Sequence, residues 1–168
     1  MPRIFASLVV ANLVCLLGTG ALGFISARLG ETRHVVLAVF TILLGCFLQV
    51  LVFTYFTIAG KLVAQAVHLG QMDTSPLEAC KRLKKRLTRL LAGSALSLVL
   101  VTATGASAWR GGQFSWPHFL SAAAVVAVHA GVWIGQYTLV VQQAALLETI
   151  LRQYREKKGD ISSQSGIL

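Results

Sequence analysis

The sequence predicts an all-α, polytopic membrane protein: four transmembrane helices in an up-down-up-down bundle, with helices 2, 3 and 4 extending into the cytoplasm. Three observations carry this prediction. First, the stretches 4–27, 35–60, 90–109 and 119–147 contain no charged residue. Each matches or exceeds the roughly 20 apolar residues needed to cross a hydrocarbon core of about 30 Å. Backbone in that core finds no water, so each stretch is read as helix. Second, only 12% of the residues are charged and the mean hydropathy is +0.71, whereas a soluble domain carries about 25% charged residues. Third, the fifteen Lys and Arg residues are unevenly placed. Arg3, Lys61, Lys81, Arg82, Lys84, Lys85, Arg86, Arg89, Arg152, Arg155, Lys157 and Lys158 fall on one side of the spans; Arg28, Arg33 and Arg110 fall on the other. The positive-inside rule then puts both termini in the cytoplasm of an inner or plasma membrane.

The spans are drawn at about 4–28, 34–60, 89–109 and 118–147, within a single domain covering 1–158. The first starts after Pro2 and Arg3. It is too long for a signal-peptide apolar region, and Ala27-Arg28-Leu29-Gly30 is a poor cleavage site, so it is read as a retained span. Gly30 suits a helix end, and Thr32 is placed as the N-cap of the second helix after a very short outer loop. That helix turns amphipathic after Ala59 and is continued through 61–70.

Ser75-Pro76-Leu77-Glu78 is a helix-start signature, with Ser75 as N-cap and Glu78 closing a capping box. The third helix therefore begins outside the membrane, over 76–88. Cys80, Leu83, Leu87 and Leu90 form its packing seam. Trp109 anchors its far end at the interface. An outer loop through Gly112 and Gln113 leads to Trp116 and Pro117, which open the fourth helix. Its apolar face continues through 148–158. Composition reads 159–168 as a disordered tail.

The net charge of +9 is accounted for by topology and by attraction to anionic headgroups, not by nucleic acid. The basic run Lys81, Arg82, Lys84, Lys85, Arg86 and Arg89 faces lipid or a partner. Three cysteines, none on the outer side, make no disulfide framework.

Candidate chemistry falls at three levels. Near mid-membrane lie Asn12, Cys15, Cys46, Gln49 and His129. A polar group at that depth needs a partner. A Cys/His metal site is not supported by the cysteine spacing, so no metal is assigned, and His129 is read as an interhelical hydrogen-bonder. At the outer ends, His34 and His118 begin their spans at one depth. Two helices offering imidazoles at one level is what a bis-histidine haem b requires, with Gly20, Gly23 and Gly105 making room. His129 lies too deep to pair with His34. In the inner halves, Tyr55, Gln136, Tyr137 and Gln143 form a polar stripe. It suits a quinone headgroup, a polar path or interhelical glue.

Three functions fit this pattern. One is a small non-catalytic membrane subunit or scaffold that assembles with other membrane proteins. The second is a haem b- or quinone-binding anchor subunit of an electron-transfer complex. The third is a homo-oligomeric channel. No intramembrane Asp or Glu supports an ion-coupled pump, and no motif names an enzyme.

Overall fold

The computed structural model describes residues 2–29, 32–111 and 116–165, with the backbone alone described for 26–29, 106–111 and 160–165. The described residues form α1 (Pro2–Leu29), α2 (Arg33–Leu69), α3 (Ser75–Gly111) and α4 (Trp116–Ser165). All four are long and apolar enough to cross a membrane. The expected loop residues Gly30, Glu31, Gly112 and Gln113 lie outside the described residues. So do the side chains of Arg28, Trp109 and Arg110.

The helices form a bundle with an unequal division of roles. α2 and α4 run close to each other, and each also runs close to both α1 and α3; among the described residues no Cα of α1 comes within 8 Å of one on α3. The pair α2–α4 is therefore the spine, flanked on opposite sides. Its sequences explain this. Thr41, Gly45, Leu48, Val52, Phe56, Ala59, Val63 and Ala66 repeat at three- to four-residue spacing on α2 and are all buried. Val125, His129, Val132, Trp133, Gln136, Leu139, Val140 and Gln143 do the same on α4. Residues at this spacing share one helix face. The complementary surface, including Val36, Leu43, Phe47, Val50, Leu96, Val99 and Ile134, is exposed apolar side chain, as expected where lipid is the solvent.

Two cores stack along the spine. In one, Phe5 from α1 meets Leu48, Val52 and Phe56 of α2, Leu87 of α3, and Leu139 and Val140 of α4. In the other, Val63, Ala66 and Val67 of α2 meet Cys80 of α3 and Ile150 of α4. The amphipathic continuations of three helices thus pack on one another.

The α2–α3 connection closes α2 as expected near Leu69 but starts α3 with different chemistry. Gly70 keeps right-handed helical dihedrals (φ −83°, ψ −4°); the left-handed residue is Gln71, at φ 46°. The N–H of Met72 donates to Val67 O at 3.0 Å and that of Gln71 to His68 O at 3.3 Å. These are the two bonds of a Schellman motif, and Met72 packs on the Val63–Val67 face. Lys157 Nζ donates to the freed carbonyls of Gly70 at 2.6 Å and Gln71 at 3.4 Å, a cation at the negative end of a helix. A left-handed non-glycine residue costs about 1–2 kcal/mol, so Gln71→Gly is expected to stabilise the fold by about 1 kcal/mol. Detergent-titrated unfolding with an unchanged slope checks this; equal or lower stability contradicts it.

At the start of α3, Ser75 is the first helical residue rather than the N-cap. Thr74 O accepts from Leu77 N at 2.9 Å and Glu78 N at 3.4 Å. The Asp73 carboxylate accepts from the Ser75 hydroxyl and from the Thr74 and Ser75 N–H groups, which hold its pKa below the usual value. An ionised carboxylate is the stronger acceptor at a helix N-terminus, which displaces the expected capping box. Glu78 instead faces Arg82 at 3.8 Å. Thr32 holds the N-cap position of α2 but makes no side-chain cap bond. α4 runs to Ser165, into the segment whose composition reads as disordered. Extending an existing helix costs far less than starting one, and the 148–158 stretch supplies the template.

Candidate functional site: a histidine pair and a buried relay

Two separate polar constructions emerge, and each joins helices that apolar packing alone would leave free to slide.

The first lies at the end of the bundle where α2 and α4 begin. The His34 ring sits on Gly23 of α1: a Cβ there would lie 2.7 Å from its Cε1 and 3.1 Å from Nδ1. His34 Nδ1 is 3.0 Å from Thr19 O, one turn along α1. Beside it, the Thr19 and Thr41 hydroxyls meet at 3.0 Å, with Cys15 O and Leu37 O of their own helices within reach as acceptors at 2.8 Å, so one hydroxyl can donate across and the other to its own helix.

The α3–α4 hairpin repeats the packing but not the hydrogen bond, because His118 Nδ1 is buried without a partner among the described residues. The His118 ring sits on Gly105, where a Cβ would lie 2.9 Å from Cε1 and 3.3 Å from Nδ1. Nearby, Thr104 and Ser121 hydroxyls meet at 2.7 Å, with Ser121 donating to His118 O.

Each ring turns its Cε1–Nδ1 edge to its glycine; Nε2 is the more distant nitrogen in both. The two imidazoles then meet each other, centroids 6.2 Å apart with planes at 74°. The placement brings together His34, His118, Gly23 and Gly105. Gly20 does not join them: nothing lies within 4 Å of its Cβ position. Gly23 lies one turn beyond Thr19, whose carbonyl holds the His34 ring, and Gly20 lies three residues nearer the start of α1 with open space around it.

Two trans imidazoles on one metal ion, each bonded at about 2.0–2.1 Å, hold their centroids on the order of 6 Å apart. The observed spacing fits. The plane angle is free, because each ring can rotate about its metal–nitrogen bond. Among the described residues, no group of three or more His, Cys, Asp or Glu side chains converges anywhere. A bare ion held by protein alone needs three or four ligands. A haem iron needs two, since the macrocycle supplies the rest. Among the described residues the pair supplies two imidazole donors, the number a bis-histidine haem takes from its protein.

The second construction lies deeper. Gln136 Nε2 donates to Gln49 Oε1 at 2.6 Å, and Gln49 Nε2 donates to Ser94 Oγ at 2.8 Å. Ser94 Oγ is 3.0 Å from His129 Nε2, and His129 Nδ1 is 3.0 Å from Val125 O. A carbonyl can only accept, so Nδ1 carries the proton and Nε2 accepts from Ser94. The chain of donors then runs one way, Gln136 to Gln49 to Ser94 to His129 to Val125, tying α4, α2 and α3 together. His129 also packs edge-on against Trp133, centroids 5.4 Å apart. Both of its nitrogens are engaged.

The remaining mid-membrane residues do not join this chain. Cys46 is exposed and Cys15 half-buried on the other flank. Asn12 is buried against Gly45 of α2, and its Oδ1 has no hydrogen-bond partner.

The inner polar stripe divides. Gln136 belongs to the relay, and Gln143 donates to Cys80 Sγ at 3.4 Å. Both are fully buried between helices of one chain, whereas Tyr137 is 43% exposed. Tyr55 packs edge-on against Phe56 and borders a cavity of only about 10 Å³ with Phe5, Leu51, Val52 and Val140. In the basic run, Lys84 is half-buried; Lys81, Arg82, Lys85, Arg86 and Arg89 are exposed.

Sequence reasoning missed Ser94, the link on which the relay turns. It also missed the hydroxyl pairs Thr19–Thr41 and Thr104–Ser121. Compared with protein-family models, with curated proteins and with solved structures, the chain matches none.

Proposed function

We propose that this protein is a small, non-catalytic membrane subunit that holds one haem b between His34 and His118 and passes electrons within a larger membrane assembly. The observation that carries the reading is the imidazole pair at 6.2 Å, seated on two glycines. His34 and His118 would hold the group, each through its Nε2. Thr19 O accepts from His34 Nδ1–H, which fixes the tautomer and aims the ring, as outer-shell carbonyls do for metal-bound imidazoles. Bound haem supplies one-electron chemistry. Held by two histidines, the group would carry single electrons, which makes electron transfer the role proposed here.

The charge asymmetry supports an up-down-up-down topology with both termini, and the packed continuations of α2, α3 and α4, in the cytoplasm. The histidine pair then lies at the outer leaflet. Its electron partner is on that side or dissolved in the outer half of the bilayer. The packed continuations give a rigid projection by which unlike subunits could be held. A homo-oligomeric pore gains less support, because Gln136 and Gln143 are spent inside one chain.

The test is haem content after expression of the full chain with a haem precursor. His34→Ala and His118→Ala should each abolish bound haem, while His68→Ala, at an exposed position of α2, should retain it. Loss of haem in neither histidine variant overturns the assignment.

A further inference from the structure

We propose that the α2–α3 flank at the basic end of the bundle is a binding site for one anionic phospholipid, its phosphate held by Lys61, Lys81 and Lys84. Lys84 fixes the place. Its Nζ donates to Thr57 Oγ1 at 3.3 Å and lies 4.9 Å from the Phe53 ring centroid. The ammonium is thus drawn across from α3 onto α2, where the uncharged run 35–60 ends. Residues paired between α2 and α3 run in opposite directions, Gln49 with Ser94 and Thr57 with Lys84. Lys61, one turn past Thr57, therefore lies level with Lys81. Both are exposed.

Among the described residues no carboxylate pairs with Lys61, Lys81 or Lys84. The ion pairs found among the described residues are Arg82–Glu78 and Arg152–Glu156. Just below the three ammonium groups, the surface turns apolar: Phe53 is 42% exposed, and Val50 and Phe47, on the same face of α2, more so.

A ligand that matches this surface needs an anionic head and an apolar tail in that order. A phosphodiester lipid has both; its oxygens accept from ammonium groups, and its acyl chains lie along Phe53, Val50 and Phe47. An acidic protein surface would satisfy the lysines and leave the apolar stripe unmatched. The site is independent of the haem reading, since it uses other residues at the opposite end of the bundle.

The experiment is native mass spectrometry of the full chain in a neutral detergent, with equal amounts of dioleoyl phosphatidylglycerol and dioleoyl phosphatidylcholine added. The native chain is expected to retain the phosphatidylglycerol at least tenfold in preference. K61Q/K81Q/K84Q should lose that preference, with affinity falling on the order of a hundredfold, as for the loss of three cations at an anionic surface. R152Q/R155Q/K158Q removes the same formal charge from α4 and should keep it. Lys84→Arg should also keep it, and Lys84→Gln alone should weaken it, which preserves the test if the triple variant folds poorly. Equal retention of the two lipids by the native chain would overturn the proposal. So would an equal loss in the α4 variant, or binding of poly-glutamate without phosphatidylglycerol.

Discussion

Gly23→Ala is expected to empty the histidine site, while Gly20→Ala, three residues away on the same helix, leaves it intact. The two substitutions share their chemistry and differ only in direction. At Gly20 the added methyl meets open space; at Gly23 it would stand 2.7 Å from His34 Cε1 and 3.1 Å from Nδ1. Contacts that short force the imidazole away and break its bond to Thr19 O. Helix propensity favours alanine over glycine by about 0.5–1 kcal/mol, and overpacking costs about 1–3 kcal/mol. Gly20→Ala should therefore be neutral or mildly stabilising. Gly23→Ala should lose up to about 2 kcal/mol and reduce haem occupancy below one tenth. Gly105→Ala should behave like Gly23→Ala, because its Cβ would stand 2.9 Å from His118. Haem-to-protein ratios of the three purified variants decide the matter. Equal occupancy in Gly20→Ala and Gly23→Ala would show that His34 is not held where the structure puts it.

His129→Ala is expected to cost about 2–4 kcal/mol of stability without removing haem, whereas Ser94→Ala, which loses its bonds to Gln49 and His129, costs about 1.2 kcal/mol at about 0.6 kcal/mol per bond. Each variant removes two hydrogen bonds, the Ser94–His129 bond among them, so the comparison separates bonding from packing. Polar bonds between membrane helices average only about 0.6 kcal/mol, because the separated helices also find partners. His129 does more than bond: it is buried against Trp133, and its removal leaves a cavity whose lining loses contacts. If packing dominates, the ratio of the two losses is large. Detergent-titrated unfolding of both variants measures it; equal losses would mean that the relay, and not the ring, holds α3 against α4.

The spans were legible because the sequence writes them as runs without charge, and lipid tolerates no other reading. The histidine pair was legible for a related reason. His34 and His118 each open an apolar run, so depth follows from counting residues. What counting does not supply is rotation about the helix axis. Gly20 and Gly23 are both small and at similar depth, yet only one faces His34. Cys46 and Gln49 are both near mid-membrane, yet one is exposed and the other sits in the relay. Ser94 was hidden among neighbours of its own size, Ala92, Gly93 and Ala95, none of which carries a hydroxyl. Between α2 and α3, five consecutive residues, Gln71 to Ser75, offer competing cap and turn chemistry. Asp73 and Gln71 took the roles because a charged acceptor and a complete Schellman motif outweigh the preference for serine and glycine at those positions.

The most direct measurement is the reduced-minus-oxidised absorbance spectrum of the full chain, purified after expression with a haem precursor. One six-coordinate, low-spin b-type haem per chain is the expected result, with the signal absent from both His34→Ala and His118→Ala. A colourless protein that also fails to take up added haemin, yet remains folded, would contradict the account.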